Sequence, residues 1–172
     1  LGRRSPSAQL RAMQLRYPQF ESEKLPNGTI RWVGVIQPIL QPYRIGVLWN
    51  LNMKIPQVVV LSPSLKPRPG GKYEDIPHLL FDDENPEFSG LCLFDPETRE
   101  WTNEDLIADT TIPWACEWLM YYEFWHLDGI WRGKSVGYES VGEIRRLLGE
   151  SSDKESEKCL QLEERIRVNL EE

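Results

Sequence analysis

The stretch 29-TIRWVGVIQPILQPYRIGVLWNLNMKIPQVVVLSP-63 decides the fold. Its first run, residues 29–38, alternates apolar with polar or small side chains and follows an Asn27-Gly28 turn pair. A second run, 43-YRIGVLWNL-51, alternates again, with Tyr43, Ile45, Val47 and Trp49 sharing one face. The third, 57-QVVVLSP-63, is a β-branched run bounded by prolines. Period-two alternation marks strands, because successive side chains leave a pleated backbone on opposite sides. The links between the runs are too short for parallel crossovers, which need about a dozen residues or more, so an antiparallel meander follows.

Upstream, SPSAQLRAMQLRY (5–17) sets Leu10, Met13 and Tyr17 at helical spacing, with Ser5 or Ser7 as cap and Pro6 in the first turn. Pro18 ends this amphipathic helix. Arg3, Arg4, Arg11 and Arg16 decorate its exposed side. Downstream, KPRPGGKYEDIPHLLFDDENPEFSG (66–90) is rich in Pro, Gly and Asp and has no period. So long an irregular passage inside a compact domain is often functional. It delivers the chain to Cys92.

Beyond the cysteine, Thr102 with Asp105 reads as a helix cap. Leu106, Ile107, Thr110, Trp114, Ala115, Trp118, Leu119 and Tyr122 then form a broad stripe, kinked or divided at Pro113. The aromatics Trp114, Trp118, Tyr121, Tyr122, Phe124 and Trp125 read as core rather than as a ligand box. The glycines of GIWRGKSVGYES (129–140) lack the order of a nucleotide-binding fingerprint. A further helix is expected at about 138–149, then a charged helical tail from about 151 with Cys159, Leu162, Ile166 and Leu170 along one side. The expected class is α+β, a single domain over 1–172.

The totals bound the function. At 172 residues the chain suits one domain with a full core. A net charge of -7 and a pI near 5.0 argue against nucleic acid or an anionic membrane as partner. Three cysteines at irregular spacing fit neither a disulfide framework nor a zinc site. With no apolar run of membrane-spanning length, the expectation is a cytoplasmic protein with reduced thiols and no cofactor or metal.

On residue type alone Cys92 reads as buried apolar filler. The segment GLCLFDPETREWTNEDLIADT (90–110), however, resembles the active-site stretch of ubiquitin-conjugating enzymes. In that family a G-x-(I/V)-C-L pattern precedes a polar turn, a tryptophan and a capped helix; Gly90, Cys92, Leu93 and Trp101 occupy those places. The leading helix, meander and proline-rich passage agree with the same fold. The chain resembles the prokaryotic branch of CBASS antiphage operons more than the eukaryotic enzymes, through Pro77-His78, the Trp-rich run 112–125 and Gly129-x-Trp131-x-Gly133.

The resemblance implies acyl carriage by thioester. Cys92 accepts the activated C-terminal glycine of a cGAS-like nucleotidyltransferase and passes it to an amine. No ATP-binding motif is present, so activation either happens elsewhere, with a separate activating enzyme as a further implied partner, or is bypassed. His78 either shapes the loop or assists proton transfer, Asp95 is the nearest acid able to orient an amine, and Trp101 packs beneath the cysteine. Cys116 and His126 read as structural. Two departures stand out: Pro77-His78-Leu79 replaces the His-Pro-Asn of the eukaryotic enzymes, and DDENPEF (82–88) looks inserted. They keep open an alternative, a non-catalytic binding module of the same fold.

Overall fold

The computed structural model describes residues 2–94 and 100–133. Helix α1 spans Pro6–Arg16, with the Ser5 hydroxyl accepting from the Ala8 amide and Pro6 in the first turn. Strands follow at Glu21–Lys24 (β1), Ile30–Ile36 (β2), Tyr43–Trp49 (β3), Gln57–Ser62 (β4), Leu79–Leu80 (β5) and Gly90–Leu91 (β6). Helix α2 spans Thr111–Asp128. The class is α+β. One sheet runs in the order β1-β2-β3-β4-β6-β5, with every pairing antiparallel.

The meander has the register its alternation demands. Ile30 pairs with Trp49, Trp32 with Val47 and Ile36 with Tyr43, and all six side chains are buried. They share one apolar cluster with Met13 of α1, with Tyr17 at that helix's C-cap, and with Ile112, Ala115, Trp118, Leu119 and Trp125 of α2. At Gly34 a Cβ would run into the Phe20 ring, so glycine lets that ring lie flat on β2.

Three expectations need correction. The C-terminal helix does not open at Thr102. The Asp105 carboxylate accepts from the Thr102 amide at 2.7 Å and from its hydroxyl at 3.0 Å, closing a local turn. The helix starts nine residues later, with Pro113 in its first turn, where an amide hydrogen has no intrahelical use. Arg3 and Arg4 are exposed as expected but lie ahead of α1 rather than on it, where the Arg4 guanidinium donates to the Glu104 carbonyl at 2.8 Å; Arg16, exposed on the helix, pairs with Asp109 at 2.9 Å. Cys116 is disulfide-bonded, which departs from reduced thiols throughout. The helix expected at about 138–149 and the tail from about 151 lie outside the described residues.

A polar residue also does what an apolar one was expected to do. Gln9 is fully buried on α1. Its amide donates to the Asp105 carbonyl at 2.8 Å and accepts from the Ile107 amide at 2.9 Å, so it clamps the segment entering α2. Both backbone groups would otherwise be dry and unpaired.

Candidate active site around Cys92

The irregular passage closes into a short hairpin. Leu79 pairs with Leu91 and Leu80 with Gly90, while Gly90 also pairs with Val59 of β4. The intervening DDENPEF segment is the hairpin's end. There the Asp82 carboxylate accepts from the Glu84 and Asn85 amides, and the Ser89 hydroxyl accepts from the Asp82 amide. The other end of the hairpin holds the two residues singled out from the sequence. His78 stands before β5, Cys92 stands after β6, and the Cys92 amide donates to the His78 carbonyl at 2.9 Å.

Cys92 is half-buried and outside any disulfide, its thiol 3.7 Å from the Phe94 carbonyl oxygen. Phe94 anchors the chain beyond it, with its ring edge-on to Trp114 at 4.9 Å and tilted against Trp101 at 6.3 Å. Trp101 is buried there, and its indole N–H has no hydrogen-bond partner among the described residues. Its contribution is packing. Asp95 lies outside the described residues.

His78 is exposed, with φ at 53°. That left-handed backbone is costly for most side chains, although histidine enters it more often than bulky residues do. Its carbonyl accepts a second bond, from the Trp118 indole at 3.1 Å. Its ring stacks on Trp131, centroids 5.4 Å apart and planes at 25°.

Trp131 arrives by a reversal after α2. Gly129 takes φ 82° as the helix cap, and its amide donates to the Trp125 carbonyl at 2.7 Å. Arg132 then pairs with Asp128 and lies over the Phe124 ring, 5.3 Å from its centroid. That guanidinium holds the Asp128 carboxyl below its usual range. A Cβ at Gly133 would strike the Trp131 indole, so the second glycine lets the chain turn tightly past the ring.

Helix α2 also pins the start of the irregular passage and the β2–β3 connection with side-chain oxygens. The Tyr122 hydroxyl accepts from the Lys66 amide at 2.8 Å and donates to its carbonyl at 3.0 Å. The Glu123 carboxylate, buried, accepts from the Leu40 amide at 3.0 Å and the Gln41 amide at 3.3 Å. Burial pushes the Glu123 and Tyr122 proton affinities up, against the pull of their backbone partners.

The structure therefore brings Cys92 and His78 to one place and sets Trp101 behind Phe94. Trp118, Trp131, Glu123 and Gln9 take part in ways the helical stripe did not reveal. A buried tryptophan usually needs an acceptor for its N–H, and that rule was the available signal for Trp118. Among the described residues no cluster of three His, Cys, Asp or Glu side chains is placed to hold a metal ion. No helix among them is long and apolar enough to cross a membrane.

A thiol at the mouth of a short hairpin, backed by an aromatic helix, defines a candidate nucleophile site on an α+β sheet. The Type II CBASS E2 protein family matches residues 9–138, and the chain belongs to that family. Membership suggests a role in CBASS antiphage defence. No curated protein matches the chain.

Proposed function

We propose that the chain is a thioester-forming conjugating enzyme, a single ubiquitin-conjugating-like domain acting in the cytoplasm. Cys92 carries the C-terminal glycine of a cGAS-like nucleotidyltransferase. The Cys92 thiolate attacks the glycine carbonyl of an activated carboxyl supplied by a partner enzyme. A carbon–sulfur bond forms and the activating group leaves. An amine then attacks the thioester, a carbon–nitrogen bond forms, the carbon–sulfur bond breaks, and the Cys92 thiolate leaves with the amine's proton passing to solvent or a nearby base. Asp95 orients that amine.

The observation that carries this reading is the placement of Cys92. It is half-buried, outside a disulfide, and at the open end of the β5–β6 hairpin in a chain of the Type II CBASS E2 family. An unperturbed thiol has a pKa of about 8.5, so some thiolate exists at neutral pH without a dedicated base. The thioester divides one difficult acyl transfer into two easier ones.

One observation favours the alternative of a binding module. The Cys92 amide and the Trp118 indole both donate to the His78 carbonyl. Two nearby N–H groups are thus committed elsewhere, and an oxyanion donor is worth about 3 kcal/mol.

The deciding experiment mixes the full chain with its operon's nucleotidyltransferase and any activating enzyme. A thiol-sensitive adduct is expected with wild type, none with Cys92→Ala, and a more stable ester adduct with Cys92→Ser. An adduct that persists in Cys92→Ala overturns the carrier assignment.

A further inference from the structure

We propose that His78 and Trp118 are positioning residues for Cys92, acting through one shared backbone oxygen, and that the His78 imidazole moves no proton in the reaction. The proposal rests on the reading of Cys92 as acyl carrier and assigns the neighbours of that same site.

The argument begins with register. Leu79 faces Leu91, so the next rung of the hairpin sets His78 opposite Cys92, and the Cys92 amide bonds the His78 carbonyl at 2.9 Å. Strand β5 is two residues long, too short to fix that rung by itself. The fixing comes from outside the sheet. Trp118 is buried in the middle of α2, and its indole N–H holds the same oxygen at 3.1 Å. A carbonyl has two lone pairs and can take both donors. The cysteine's backbone is thereby referenced to the longest rigid element described.

The His78 backbone is what turns that oxygen inward. Its φ of 53° lies between Pro77 and the extended Leu79. Such strain persists only where surroundings over-determine it. Here the imidazole is pressed on Trp131, which meets Trp118 edge-on at 5.3 Å and Tyr121 at 5.8 Å. A histidine that transfers protons usually has its second nitrogen oriented by a carboxylate or carbonyl. Among the described residues the imidazole has a stacking partner and no side-chain hydrogen bond. What the site uses is the residue's backbone conformation.

The test compares His78→Gly, His78→Asn and His78→Val in single-turnover formation of the Cys92 adduct by the full chain. Glycine and asparagine enter the left-handed region readily and carry no base, whereas a β-branched residue resists it. The Gly and Asn variants are expected to stay within about threefold of wild type with the same pH profile, and the Val variant to fall about tenfold at unchanged KM. Trp118→Phe keeps a ring and loses the donor, so kcat is expected to fall about fivefold at unchanged KM. Gly and Asn variants as slow as the Val variant, or an altered pH profile in either, overturn the proposal. If the His78→Val protein does not fold, the Gly and Asn variants decide the matter by themselves: wild-type-like rates support the proposal, and a tenfold loss in both overturns it.

A second measurement needs no partner protein. Alkylation of Cys92 by iodoacetamide is followed on its own peptide by mass spectrometry. Rates near wild type in the Gly and Asn variants, beside a change of about threefold or more in Trp118→Phe, support positioning. A single rate across all variants overturns it. An adduct surviving in Cys92→Ala would strike only the carrier reading, and the alkylation series separates the two failures.

Discussion

Strands β2–β4 and the passage from Pro63 to Leu93 lie side by side and hold their shapes by opposite means. The meander is self-sufficient: its ladders pair backbone with backbone, and its inward side chains are dry and apolar. The passage has only two-residue strands of its own. Its course is dictated by side chains of α2, with Tyr122 at Lys66 and Trp118 at His78. Regular structure here supplies stability, and irregular structure supplies placement. Cys92, at the end of the second kind, is adjustable by mutations that leave the first untouched.

Two tryptophans break the comparison most sharply. Trp49 is fully buried on β3, and its indole N–H has no partner among the described residues. Trp49→Ala is expected to cost about 3–5 kcal/mol of global stability, seen as a lower denaturant midpoint. Trp49→Phe should cost much less, because no hydrogen bond is lost. Trp118→Phe loses the indole bond to the His78 carbonyl, so it is expected to cost about 1 kcal/mol more stability than Trp49→Phe, with a clear loss at the site besides. Equal stability losses in the two Phe variants would erase the distinction.

A middle-sized effect is expected from Tyr122→Phe, which removes an oxygen that serves both the amide and the carbonyl of Lys66. A loss of about 1–2 kcal/mol follows from leaving those groups to imperfect substitutes. Limited proteolysis should then cut earlier in the passage 63–78, with the meander still protected in hydrogen exchange.

The smallest effect is a slope rather than a step. Burial raises the proton affinity of Glu123 above its ordinary value of 4.5. The folded chain therefore binds that proton more tightly than the unfolded chain does. The resulting stabilisation is complete below 4.5 and is lost as pH rises through the raised folded value. Glu123→Gln removes this dependence. Thermal melts across the acid range should show the wild-type advantage over the variant shrinking as pH rises towards neutrality.

How much of this was legible follows the same division. Helix α1 and strands β2–β4 could be read because their apolar periods are long enough to count. Strand β1 could not: Glu21, Ser22, Glu23 and Lys24 are all exposed, and only pairing with β2 makes them a strand. Strands β5 and β6 are too short to show a period. Thr102 and Asp105 form a real side-chain bond, but the same bond closes a turn as readily as it caps a helix. At the site, Cys92 and His78 were legible through resemblance to a motif. Their juxtaposition was not, because it depends on a hairpin register and on an indole donor 40 residues further along the chain.

The rims of the sheet carry a last consequence. One margin is β1, four exposed residues of which Glu21, Glu23 and Lys24 are charged; the other is β5, only two residues long. Neither offers a flat, greasy template on which a neighbouring chain could lay down another strand. Addition of a strand from a second copy at either of these described edges is therefore disfavoured.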